Sequence, residues 1–242
     1  MNVKLLAHTQ LSESFVANMK GQLLEDYADG GFQDGQAVAL SAIRTCYSAN
    51  KPAEILDKEG VKYFGRKATD GKGGTETDRL IRMIVSSGHT STLEHLTYTF
   101  AVEGVSRALL AQLTRHRAGF SYSVQSQRYV RFGSGDRSGG FDHVVPDSIP
   151  QGKDVDWINS DGDDGIAGAG YIFADAMHFA QKAYDALRKS GVPAEDARAV
   201  LPNAAATNLV LTVNLRALLD FYGKRKHGQG AQSEIAGLAE RL

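Results

Sequence analysis

Hydrophobic residues recur along this chain with two periods, and the switches between them mark its elements. Leu96, Tyr98, Phe100 and Val102 alternate with Thr97, Thr99 and Ala101, which predicts a strand with one buried face. The opening VKLLAHT predicts a short edge strand, and LVLTV, Leu209 to Val213, a buried one. Helical spacing takes over elsewhere. Ala37, Leu40, Ala42 and Ile43 predict a helix from about Asp34 to Tyr47 that ends on RTCYS. Ala68 to Thr77, ATDGKGGTET, reads as a mobile loop. A helix from Leu80 to Ser87 follows, with Asp78 as its cap, Leu80, Ile81, Ile84 and Val85 on one face, and Gly88 as its stop. Ser106 is placed to cap SRALLAQLTRHR, in which Leu109, Leu110 and Leu113 turn inward while Gln112, Arg115 and His116 share another face of the last turn.

Beyond Tyr129 the periodicity fades. About 131–170 is a loop-rich insert, and its acidic stretch DVDWINSDGDDG, Asp154 to Gly165, reads as a flexible surface excursion because it lacks the terminal Glu of an EF-hand loop. Tyr171 to Ser190 is strongly amphipathic, with a stripe of Ile172, Ala176, Phe179, Ala180, Ala183 and Leu187 and a stop at Gly191. Pro193 opens another helix, and Leu215 to Tyr222 and Ala231 to Leu242 are helical. Mixed strands and helices in a chain of 242 residues point to one α/β domain spanning 1–242.

The 42% hydrophobic and 23% charged content is that of an ordinary globular protein. No apolar run approaches the roughly 18 residues of a membrane span, and the N-terminus carries no signal-peptide core, so a cytoplasmic protein with no membrane partner is expected. Cys46 is the single cysteine, which excludes an internal disulfide and a multi-cysteine zinc site. His89 and His95 lack the spacing of an HExxH zinc motif, and no metal is expected.

A net charge of −1 argues against a surface built for nucleic acid, but the charge is unevenly placed. Gly104 to Gly135 contains no Asp, Glu or Lys, yet holds Arg107, Arg115, Arg117, Arg128 and Arg131. Within it RHR and Arg128 flank the hydroxyls of Ser121, Ser123 and Ser126. Guanidinium forks, hydroxyls and backbone amides are the donors that suit a phosphate ester. A solvated basic loop and a solvated helix end are the plainer readings of the same residues.

The stretch RHRAGFSYSVQSQRY, Arg115 to Tyr129, resembles the signature of flavin-dependent thymidylate synthases. GHTSTLEH, Gly88 to His95, resembles the same family's histidine-containing turn, and DARAVLPNAAATNLVLTVNLRALLDF, Asp196 to Phe221, its C-terminal nucleotide segment. RTCYS and AQSEI, Ala231 to Ile235, fit as well, in the family's order. The resemblance implies a central, mainly antiparallel sheet flanked by helices, in a homotetramer with active sites shared between subunits. It also implies the reaction: dUMP becomes dTMP, methylenetetrahydrofolate supplies the carbon, FAD is the cofactor and NADPH the reductant, with no protein nucleophile.

By motif position, the resemblance assigns Gln112, Leu113, Thr114, Arg115, Val124, Gln125, Ser126, Gln127, Arg128, Arg198 and Arg225 to dUMP. Arg225 is the catalytic assignment, a fixed cation beside the uracil ring. Ser91, Arg115, His116, Arg117, Asn214, Leu215, Arg216 and Asp220 fall on FAD positions, with His89, Glu94 and Cys46 close to that group. A small buried hydrophobe is the alternative for Cys46, and a hydrogen-bonded core histidine for His89.

Three departures stand out. Eight residues separate RHR from Ser126, one more than in the commonest signature, which bears on Val124 and Gln125. Asp220 stands where the family more often places Asn or His, and KHGQG carries an extra residue before AQSEI. The chain also stops soon after that block, which is expected to reflect truncation or a short variant. Two other functions are compatible with the residues: a single-stranded nucleic-acid module using the arginines with Phe120, Tyr122 and Tyr129 as stacking platforms, and a homologue that has lost turnover.

Overall fold

A computed structural model describes residues 1–242. The alternating segment forms the longest strand, β2 (Thr97–Ser106), flanked in the sheet by β1 (Asn2–His8) and β6 (Ala206–Asn214), with β3 (Phe120–Val124) beyond β6. All three pairings are antiparallel, in the order β1-β2-β6-β3, which agrees with the expected central antiparallel sheet. Threonines 99 and 212 face each other across β2 and β6 and join their hydroxyls at 2.9 Å. The β2–β6 register shifts between Val102 and Val105, where Gly104 takes a φ of +66°. An L side chain is strained at that angle, so glycine is what lets the strand bulge there.

One face of this sheet is packed. Phe100, Val102, Val105, Leu209, Leu211 and Val213 meet Leu109, Leu110 and Leu113 of α6 (Arg107–Leu113), Phe221 of α9 (Leu215–Arg225), and Ile235 and Leu238 of α10 (Ser233–Ala239). On the other face Ser121, Ser123 and Val210 are exposed in the single chain. A second core lies within the N-terminal helices α2 (Gly21–Ala28), α3 (Asp34–Tyr47), α4 (Ile55–Glu59) and α5 (Glu76–Ser87), where Leu23, Leu40, Ile43, Leu56 and Ile84 close around stacked Phe32 and Phe64. A third, small core joins Phe132, Tyr184 of α7 (Ala169–Lys189) and Ala197 of α8 (Ala194–Ala197). The short α1 (Glu13–Val16), together with α2 and α4, has no counterpart in the sequence reading, each being too short to show a period.

Several expectations are corrected. α5 is capped by Thr75 rather than Asp78: Asp78 sits at the third helical position and accepts the Thr75 N–H at 2.7 Å in a capping box, while Gly88 ends the helix at φ +77° as expected. α6 stops at Leu113, so Arg115 and His116 lie in the following turn and do not share a helical face with Gln112. The serine-bearing segment between RHR and Arg128 contains the strand β3, whose FSYSV alternates inward aromatics with outward serines. The acidic excursion is a hairpin of β4 (Val155–Ile158) and β5 (Asp164–Ala167). Its turn is organised by Asn159 Oδ1, which accepts the Asp161 and Asp163 N–H groups, and Trp157 Nε1 anchors it to Asp175 of α7 at 3.1 Å. Finally, α7 buries Met177 and Tyr184, whereas Ala176 and Phe179 of the expected stripe are exposed, Phe179 by 57%. No helix is long and apolar enough to cross a membrane.

Candidate active site

The turn that follows α6 is fixed from three sides. Tyr122 of β3 places its hydroxyl 2.7 Å from the His116 carbonyl and 2.9 Å from that of Leu113, within reach of donating to either. Phe221 meets the His116 ring edge-on with centroids 4.9 Å apart. Arg225, in the last turn of α9, donates its Nε–H to His116 Nε2 at 3.1 Å. A nitrogen that accepts carries no proton, so this bond calls for a neutral His116 with its hydrogen on Nδ1. Burial, and after it the charge of Arg225, pushes the His116 pKa down from the ordinary histidine range.

Beside this turn lies a cleft of about 680 Å³ lined by Val85, Thr90, Glu94, Ala118, Gly119, Asn214, Arg216, Ala217, Leu219 and Asp220. Asn214 caps α9 by accepting the Ala217 N–H at 2.9 Å. Gly119, at φ +76°, lies so close to it that an added Cβ would stand 2.6 Å from both Asn214 Nδ2 and Ala217 Cβ. Arg216 is paired with Glu94 at 2.5 Å and Asp220 with Lys224 at 2.8 Å. Leu215 is half-buried and its N–H bonds the Leu96 carbonyl. Ser91 and Cys46 line a neighbouring cleft with Thr45, Thr92 and His95. Cys46 is exposed, which removes the reading of it as a buried hydrophobe. His89 accepts from or donates to the Tyr47 hydroxyl at 2.6 Å, so the end of RTCYS touches the GHTSTLEH turn.

The third cleft, about 540 Å³, is lined by Arg107, Gln127, Glu195, Asp196, Arg198 and Ala199. It joins α6, the segment after β3, and α8, which lie far apart in sequence. Burial, and then the like charge of Arg198, lowers the Arg107 pKa below the ordinary arginine value. Gln127 is buried and its Nε2 has no hydrogen-bond partner. Arg198 Nε donates to the Glu195 carbonyl at 2.9 Å, and Arg128 Nε pairs with the Glu195 carboxylate at 3.0 Å. Ser126 Oγ accepts the Arg128 N–H. Two facing guanidiniums and an unpaired buried donor form a set that an anion would complete.

Other assigned residues are placed differently. Leu113 has its side chain fully buried in the sheet core, leaving only its backbone for any ligand. Thr114 bonds back to Leu110, Gln112 to Gln232 at 2.6 Å, and Gln125 to Asn208 at 3.1 Å. Val124 packs against the sheet core. None of the eight ion pairs involves Arg107, Arg115, Arg117, Arg198 or Arg225.

Residues 24–242 match the family model described as thymidylate synthase complementing protein. The chain belongs to this family, that of the flavin-dependent thymidylate synthases. The flavin-dependent thymidylate synthase of Geobacter sulfurreducens is 39% identical over 209 residues, covering 86% of this chain and 76% of that protein. That of Clostridium tetani is 34% identical over 223 residues, with the same two coverages, 86% and 76%. Among solved structures, thymidylate synthase X from Helicobacter pylori with FAD and dUMP superposes with a TM-score of 0.60 at 23% identity, over 99% of this chain and 90% of that one. The UMP/dUMP methylase PolB from Streptomyces cacaoi, bound with 5-Br dUMP, gives 0.63 at 23% identity, over 99% and 86%. At that identity the two structures speak for the fold.

The residues present fit a flavin dinucleotide. Gly119 presents bare backbone to the cleft beside the Asn214 and Ala217 side chains, and Arg115 and Arg117 are exposed next to it with no carboxylate partner. Bare backbone and uncommitted guanidiniums are what a diphosphate needs. Sequence reasoning missed Arg107 and Tyr122 as site residues. The pairing of Arg107 with Arg198 depends on the fold bringing α6 to α8, whereas the inward phase of Tyr122 in FSYSV was a signal open to use.

Proposed function

We propose that this chain converts dUMP to dTMP as an FAD-dependent thymidylate synthase, with methylenetetrahydrofolate as carbon donor and NADPH as reductant. The observation that carries the reading is the family membership, together with Arg107 and Arg198 sharing one cleft and Arg115 and Arg117 beside the other, none of the four in an ion pair. Gln127, Ser126, Arg128, Arg107 and Arg198 hold the dUMP phosphate, the Gln127 amide gaining there the acceptor it lacks. Arg225 faces the pyrimidine and stabilises negative charge as the ring is activated. Arg115, His116, Arg117, Asn214 and Arg216 hold FAD, with Ser91, Cys46 and His89 along its edge. Reduced FAD, when bound, supplies the hydride, so the protein's part is to align and polarise rather than to attack.

The dUMP cleft and the flavin cleft share no lining residue, and the sheet's serine-bearing face and the Tyr171 and Phe179 side of α7 are uncovered in one chain. Both features support a homotetramer in which one subunit completes another's site. The test is anaerobic mixing of FAD-reduced protein with dUMP and methylenetetrahydrofolate. dTMP forms with dUMP-dependent flavin oxidation, and NADPH sustains repeated turnovers. Protein that takes up no FAD and forms no dTMP removes this function.

A further inference from the structure

We infer that His116 is a positioning residue for Arg225, holding the guanidinium through a hydrogen bond that exists only while the imidazole is neutral. The inference deepens the proposed function, because it concerns the residue assigned there to pyrimidine activation. The Arg225 Nε–H is committed to His116 Nε2 at 3.1 Å, and the two terminal nitrogens of the fork make no hydrogen bond or ion pair within the chain. His116 in turn has little freedom. Phe221 packs edge-on at 87°, Phe120 lies 5.9 Å away, and Tyr122 bonds the backbone of the turn. A cation on the last turn of an exposed helix has many rotamers, and one accepting nitrogen at Nε removes most of them.

Protonation would place an N–H of His116 against the N–H of Arg225, breaking the bond and adding like-charge repulsion. The groups facing the ring are Arg225, Lys224 and Asp220 from α9 and Arg115 from its own turn. Three of the four are cations, and the one carboxylate is already paired with Lys224. The field around the ring therefore opposes the imidazolium, and burial acts in the same direction.

Two measurements test this on the FAD-loaded enzyme. The ring-nitrogen signals of ¹⁵N-histidine-labelled protein should show an unprotonated Nε2 and a protonated Nδ1 at about pH 7, and the Arg225→Ala variant should lose that fixed tautomer. A protonated Nε2 overturns the inference whether or not the protein turns over dUMP. In turnover, wild-type kcat should fall on the acid side with a midpoint below the ordinary histidine value of about 6.5. His116→Gln, which keeps an acceptor that does not titrate, should lose that acid limb and at pH 8 keep more kcat than His116→Phe. His116→Phe should cost on the order of 10²-fold, and adding Arg225→Ala to it should cost little more, since both remove one unit. Persistence of the acid limb in His116→Gln, or fully additive losses in the double variant, overturns it. Absence of dUMP-dependent turnover in the wild type counts instead against the function on which it rests.

Discussion

Replacing Gln127 with Met should make the ligand-free protein more stable and the dUMP complex weaker. The Gln127 side chain is buried on the cleft wall with Arg107 and Arg198, and its Nε2 finds no acceptor. An unsatisfied buried amide costs about 1–3 kcal/mol. Methionine has a similar length and no donor, so it removes that cost, while imperfect repacking takes back up to about 1.5 kcal/mol. The expected net gain is about 1 kcal/mol, or a rise of about 2–4 °C in Tm for a chain of this size. With dUMP bound the sign reverses. The wild-type amide then donates to an anionic oxygen, a bond worth about 1.5–3 kcal/mol, so Gln127→Met should raise the dUMP Kd by about 10–100-fold. Differential scanning fluorimetry without and with dUMP reads both effects, and titration calorimetry gives the Kd. An unchanged Kd, or a lower ligand-free Tm, would refute the assignment of this amide to the nucleotide.

Three further outcomes follow from other parts of the chain. Glu59 loses solvation on burial, yet Ser48, Asn50 and Arg44 bond its carboxylate and hold its pKa down at about 2. A depressed carboxylate contributes stability that is present above its unfolded pKa and lost as pH falls through the folded one. Glu59→Gln should therefore cost on the order of 2 kcal/mol at pH 7, and pH-dependent urea melts should show the gap to wild type closing between about pH 5 and 2. Tyr122→Phe leaves the Leu113 and His116 carbonyls without the phenol and should lower stability by about 1–2 kcal/mol, with a fall in kcat larger than any change in FAD occupancy. Gly119→Ala should cost about 1–3 kcal/mol from φ +76° and the contact with Asn214, and should weaken FAD binding, measured by flavin fluorescence, more than dUMP binding.

β2 was legible because one face is buried and the other half-wet, so alternation shows in the sequence; β6 was legible as the apolar run LVLTV, of which Val210 is exposed rather than buried, and both strands are longer than those runs. β3 was not legible, since its outward positions are Ser121 and Ser123, which in a short segment after an arginine cluster look like turn residues. The phase of α7 was misread for a related reason. Ala176, Phe179 and Ala183 do make an apolar stripe, but the single chain turns Met177 and Tyr184 inward instead. Ile172, Ala180, Ala183 and Leu187 of the expected stripe are half-buried, Leu187 against the third core, so only part of it faces away from the chain. Motif positions named several residues that the fold brings to the two clefts, Gln127, Arg198, Asn214, Arg216 and Asp220 among them, yet they gave no hint that Leu113 is wholly in the core or that Arg107 stands beside Arg198. Those facts come from tertiary packing.

Arg107, Gln127 and His116 each sit in surroundings that are unfavourable for the chain alone. Two guanidiniums face one cleft, an amide is buried without an acceptor, and an imidazole is kept neutral among cations. Neither Arg107 nor His116 forms an ion pair, with Glu195 and Asp196 in the Arg107 cleft and Asp220 facing His116, whereas Glu59 receives Arg44 and Glu76 receives Arg79 in the N-terminal helices. Under the proposed function negative charge eases all three, as a phosphate at Arg107 and Gln127 or a pyrimidine gaining charge at Arg225, and the site is then complementary to a bound anion rather than to the empty state. Nucleotide and flavin should accordingly raise the melting temperature by more than their contact area suggests. That excess should shrink as salt screens the arginines, while the stability of the Glu59 cluster, being buried, changes little.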